Sequence, residues 1–259
     1  MSTTGHGGQQ AKMRRIMLAL DALNCEAALM EAAALIAAKL EAELDALFVE
    51  DADVYAVADL PITQEISLGS ARARAITGSH VEQALRCLSR EAEQRFAAVT
   101  RRSRVKGQFQ VTRARRGEAL NEASARVELL LMQPRERTIV RVRIQETRPP
   151  RVFVLCGATP ASRRSLELAA RLAQQDHHVL EVIAAGEPDA AQLAEIEKGG
   201  LQVNLHPHPP GTDSLEMLRE VENRLGNMLL IAGDLTPAKD RRAVLDELSH
   251  LRCQVLLVN

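Results

Sequence analysis

Arg15-Ile-Met-Leu-Ala-Leu-Asp21 lines up without a gap against Arg151-Val-Phe-Val-Leu-Cys-Gly157, 136 positions further on. Working outward at the same offset, Glu31-Ala-Ala-Ala-Leu-Ile-Ala37 faces Glu167-Leu-Ala-Ala-Arg-Leu-Ala173, and Leu44-Asp-Ala-Leu47 faces Leu180-Glu-Val-Ile183. A constant offset across strand-like, helix-like and strand-like segments predicts two copies of one βαβ beginning. The copies agree where a core needs apolar residues. They differ at the strand tip, where Asp21 in the first copy is Gly157 in the second.

Residues 15–20 and 43–49 are short apolar runs of the kind buried on both faces of a parallel sheet. An Ala-rich helix ending near Leu40 joins them. Past a polar, irregular stretch that follows Asp53 and runs through Pro61 to Gly78, Val81, Leu85, Leu88, Ala92, Phe96 and Val99 recur at helical spacing. Strands at 107–114 and 128–132 then flank a helix opened by Gly117-Glu118. This alternation predicts a doubly wound α/β domain, because parallel neighbours need helical crossovers. The second copy repeats the order with strands at 151–156, 178–185, 201–206, 228–232 and 254–258, and Pro207 and Pro209 mark a turn after the third. Pro149-Pro150 sets the boundary, since neither residue continues a helix or donates to a ladder. The division is a disordered lead at 1–13, a first domain at 14–148 and a second at 149–259.

Only Gln133-Pro-Arg-Glu-Arg137 separates Met132 from the alternating run Thr138-Ile-Val-Arg-Val-Arg-Ile-Gln145. Five residues cannot make a parallel crossover, which takes about a dozen. The spacing predicts an antiparallel hairpin in which residues 138–145 pair with 128–132 and stand where a fifth strand would be.

Composition narrows the function. Hydrophobic residues make up 46%, charged residues 26% and aromatic residues 2% of the 259, a globular balance with cores of Leu, Val, Ile and Ala. No apolar run reaches the roughly 18–20 residues of a membrane span. The first residues lack the basic start and apolar middle of a signal peptide, and a cytoplasmic location is expected. Cys25, Cys87, Cys156 and Cys253 stand far apart, giving no zinc or redox motif. His206-Pro-His208 can share a strand face, but no third metal ligand is visible. Residues 101–151 carry a net +9 in a chain of net −1. Such clustering attracts anions or nucleic acid, yet stacking aromatics are nearly absent, so nucleic acid is not expected. No nucleophile–base arrangement or phosphate loop is present, and no enzymatic activity is expected.

Several motifs together resemble a tandem universal stress protein across residues 14–259: the strand ending in Asp21, Leu47-Phe-Val-Glu-Asp51, Glu65-Ile-Ser67, the Gly117 and Gly211 turns, and Leu251-Arg-Cys-Gln-Val-Leu-Leu-Val258. The resemblance implies two flavodoxin-like (adenine nucleotide alpha hydrolase-like) domains with five-stranded, mostly parallel sheets of order 3-2-1-4-5. It also implies packing as an internal pseudo-dimer through the fourth and fifth strands. The apolar 254–258 edge gives that packing a physical motive. Asp21 and Val49 match the family's adenosine positions, although Asp21 can equally serve as a helix N-cap and Val49 as core. The family's phosphate loop, Gly-x-x-Gly-x9-Gly-Ser/Thr, is not kept. Gln133 and Pro134 replace its start in the first domain. In the second, Gly233 is followed by Asp234 and by Thr236 in place of the next glycine. The expected function is a non-enzymatic stress-response or regulatory protein working through an unknown protein partner, as a monomeric pseudo-dimer or a homodimer, without a bound cofactor. ATP or AMP binding would be weak. The alternatives are an adenine-nucleotide sensor using Asp21 and Val49, and an anion binder using residues 101–151.

Overall fold

Ile16, Leu18 and Leu20 of strand β1 (Arg15–Asp21) point to one side of a sheet, Met17 and Ala19 to the other, and all five are buried. Helices on both faces are therefore required, and the chain supplies them. The computed structural model describes residues 15–60, 63–66, 73–132, 151–157, 159–176, 179–212, 216–218, 228–233, 244–245, 248, 251 and 253–259.

After β1 come α1 (Ala27–Leu40), β2 (Glu43–Asp51) and α2 (Ala52–Ala58), then a small antiparallel hairpin of β3 (Gln64–Ile66) and β4 (Ala73–Ala75). Both α2 and that hairpin fall in a stretch whose sequence reads as irregular. The long helix α3 (Gly78–Ser103), β5 (Phe109–Ala114), α4 (Arg116–Arg126) and β6 (Leu129–Met132) follow. The second half contributes β7 (Arg151–Cys156), α5 (Pro160–Asp176), β8 (Val179–Ala185), α6 (Ala190–Lys198), β9 (Gln202–His208), β10 (Met228–Gly233) and β11 (Gln254–Val258). The offset of 136 holds in the fold, since β7 and β8 start 136 positions after β1 and β2.

The strands form one sheet of nine, in the order β5-β2-β1-β6-β11-β10-β7-β8-β9, not two sheets of five. All pairs within it are parallel except β6–β11 at its middle. The second half thus has the order 3-2-1-4-5, while among the described residues the first contributes four strands to this sheet. An antiparallel strand does occupy the first half's fifth place, but its source corrects the hairpin expected from the sequence. β6 pairs with β1 on one edge and with β11 on the other, Leu131 facing Leu256, leaving no edge for residues 138–145. Those residues lie outside the described ones. The physical reason is coverage: this position is covered on both faces, and Val255 to Val258 are all buried, which a strand of alternating arginines could not be.

Apolar clusters fill both faces of the sheet and run through both halves. One packs Ile16, Leu18, Val154 and Val182 against α1, α3 and α5; the other packs Met17, Ala19, Leu155 and Leu257 against α4, residues 217–218 and 244–245, and Leu248. β9 runs on through Pro207 instead of turning there, as the strand lies at the sheet edge, where a missing N–H is tolerated. No helix among the described residues is long and apolar enough to cross a membrane.

Candidate functional site

Alternation along β1 puts Asp21 on the same face as Met17 and Ala19, the face that α4 covers. Parallel register sets Asp21 beside Val49 at the carboxyl ends of β1 and β2. The two candidate residues read from the sequence therefore stand side by side, and both are buried. Val49 belongs to the apolar cluster with Ala119 and Leu120 of α4.

Asp21 is fully engaged. Its Oδ1 accepts from the backbone N–H groups of Leu23 at 2.8 Å and Asn24 at 2.9 Å, and from the Asn24 amide at 3.2 Å. Its Oδ2 forms an ion pair with a guanidinium nitrogen of Arg116, which is itself only 6% exposed. The turn at residues 21–24 is what this carboxylate caps. α1 begins later, with Glu26 at its N-cap position making no side-chain cap. A carboxylate offers about four lone-pair directions, and these partners take them.

Sequence reasoning missed Arg116 because it hid within a run of arginines. One signal was available: Arg116 is the first residue of α4, where a cation opposes the helix dipole. A basic residue there needs a partner strong enough to offset that, and Asp21 is the partner. Other arginines of the basic segment are also matched: Arg102 with Glu31, Arg113 with Glu50 and Glu82, Arg115 with Asp53, and Arg126 with Glu122. Much of the +9 is neutralised locally.

A second polar knot stands on the opposite face of the same strand ends. Glu50, 6% exposed, accepts from the Tyr55 hydroxyl at 3.0 Å and from Arg113 Nε at 3.2 Å. The Arg113 guanidinium lies 4.3 Å over the Tyr55 ring, and burial, then the bond to Glu50, holds the Tyr55 phenol above its ordinary range.

In the second half the tip of β7 is rebuilt in hydroxyls. Gly157 N–H donates to Ser162 Oγ at 2.9 Å, and Thr159 Oγ1 lies 3.2 Å from that oxygen. A hollow of about 220 Å³ opens beside them, bordered by Arg163 and Asp189. Gly233, the glycine that ends β10, has a packing role. A Cβ there would come within 2.2 Å of Ser165 Oγ and 2.7 Å of the Ala161 carbonyl, so α5 lies directly on it.

His206 Nε2 donates to the Glu181 carboxylate at 2.8 Å, and Asn204 donates to the same carboxylate at 3.2 Å. No cluster of three or more metal-type ligands occurs among the described residues. Burial pushes the Cys156 and Cys253 thiols up to about 12, which leaves them protonated and poorly nucleophilic near neutral pH.

No protein-family model matches the chain, and no curated protein matches it. Among solved structures, a universal stress protein from Archaeoglobus fulgidus is similar at 14% identity and a TM-score of 0.49, over 94% of this chain and 96% of that one. A protein of the universal stress protein family from Burkholderia pseudomallei is similar at 13% identity and a TM-score of 0.28, over 76% of this chain and 98% of that one.

Proposed function

We propose that this chain is a cytoplasmic, non-enzymatic regulatory protein of the universal stress type, made of two flavodoxin-like units packed as an internal pseudo-dimer. It acts through contacts with a protein partner, and its nucleotide binding is weak or lost. The observation that carries the reading is the buried Asp21–Arg116 ion pair. The acid that the resemblance would give to an adenosine ligand is already bonded to two backbone N–H groups, an amide and a guanidinium. A ligand would have to break a buried charge pair to reach it, and such a breach costs about 3–5 kcal/mol. The β6–β11 junction supports the pseudo-dimer, since it joins the fourth-strand edge of the first half to the fifth-strand edge of the second.

Thermal melting with millimolar AMP, ADP or ATP tests it. A ligand present at about 100 times its Kd would add about 2.7 kcal/mol, so a clear rise in Tm marks binding. The expected result is no rise with any of the three. A rise of several degrees with AMP would overturn the reading and favour a sensor holding adenosine at Asp21 and Val49.

A further inference from the structure

At the opposite rim of the sheet from Asp21, the chain leaves α3 through a left-handed turn at Arg104, φ 55°. That turn carries it past Lys106 and Gly107 into the edge strand β5. Gly107 is forced: a Cβ would lie 1.6 Å from the Leu44 carbonyl oxygen, because this backbone lies against β2. Gly107 and Ala97 of α3 are two small residues lining a hollow of about 470 Å³, within the roughly 300–1,000 Å³ of small-molecule sites.

The floor is apolar and aromatic. Phe96 and Phe109 line it with ring centroids 5.9 Å apart, and Val105 adds to it. Two exposed cations, Arg101 and Lys106, stand at the mouth with one acid, Glu93. Most of the described arginines between 101 and 151 meet a carboxylate, as Arg102 meets Glu31. Arg101 and Lys106 meet none among the described residues. Arg101 also suits the helix C-terminus, but Lys106 lies beyond the helix. An apolar floor under surplus positive charge matches a molecule that joins a ring or short chain to an anion.

We infer that this hollow binds a small amphipathic organic anion, one aromatic ring system or short acyl chain bearing a single carboxylate or sulfonate. The site is independent of the nucleotide question, since it lies at the other end of the strands. The probe is 8-anilinonaphthalene-1-sulfonate, titrated by fluorescence into the full chain, which has no tryptophan to interfere. Saturable enhancement is expected, with Kd raised about tenfold by Lys106→Glu and by Ala97→Phe, and raised by salt in the parent protein as screened charges require. 1-Naphthoate should displace the probe and the neutral 1-naphthalenemethanol should not. Melting curves check each variant, with Ala97→Leu standing in if the phenylalanine variant does not fold. Unchanged titrations in both the charge and the filling variants would overturn the site. Equal displacement by the neutral alcohol would overturn the requirement for an anion.

Discussion

Arg116 and Asp21 behave as a unit, and their mutants should show it. Arg116→Ala leaves a buried carboxylate without its cation and is expected to cost about 3–5 kcal/mol in urea denaturation. Asp21→Asn with Arg116→Met removes both charges and should recover much of that loss. A double-mutant cycle giving simple additivity would mean the two are not coupled. Tyr55 offers a second test because it is the chain's one tyrosine, so absorbance near 295 nm reports it alone. Its phenol is held up chiefly by burial and then by Glu50, so the titration midpoint should lie above the ordinary value of about 10. The sign follows: folding keeps the proton on, so this contribution is complete below about pH 10 and is lost as pH rises through the folded value. Glu50→Gln should lower the midpoint only in part, and an unshifted midpoint in the parent protein would remove the Tyr55–Glu50 bond from the account.

Between α5 and β10 there is no slack. Gly233→Ala would press a methyl group against Ser165 Oγ and the Ala161 carbonyl, an overpacking expected to cost about 1–3 kcal/mol. Adding Ser165→Ala should relieve only part of it, because the carbonyl remains; a neutral Gly233→Ala would show that α5 can move. This glycine was visible in the sequence, but its reason was not, since a phosphate loop and a close helix both ask for glycine. Most strand and helix positions were legible from the offset and from apolar spacing, down to the paired starts of β1 with β7 and β2 with β8, but α2 and the β3–β4 hairpin were not. The partner of β6 was not, because local patterning does not encode long-range pairing. A clue existed in the contrast of textures: residues 254–258 are continuously apolar, residues 138–145 alternate, and only the former suits a strand covered on both faces. The acids in second strands tell a similar story. Asp45 accepts from the Gln108 N–H at 2.9 Å and Glu181 binds Asn204 and His206, so both copies pin their outermost strand with one buried carboxylate. The aligned Leu44-Asp45 and Leu180-Glu181 showed the equivalence; the pinning needed three dimensions.

Across the whole molecule, β11 makes the two halves one body. Its register with β6 is extended by Asn259, whose N–H donates to the Glu128 carbonyl at 3.0 Å. The Asn259 amide donates to the Ser124 and Val127 carbonyls at 2.6 and 2.8 Å, closing the end of α4. Both apolar clusters continue through that junction. Leu256→Ala should therefore cost about 2–5 kcal/mol and be felt on both sides. Hydrogen exchange is expected to show amides of β1 and β7 losing protection together. Loss confined to the second half, with β1 as protected as before, would mean the halves unfold separately.

The same junction sets a clock on synthesis. Met132 and Val258 are 126 positions apart, and a ribosome adding roughly 5–20 residues per second takes roughly 6–25 s to cover that distance. For that interval the outer side of β6 waits in the nascent chain without its native neighbour. At four residues, β6 keeps the waiting edge short, which limits what a neighbouring nascent chain could seize.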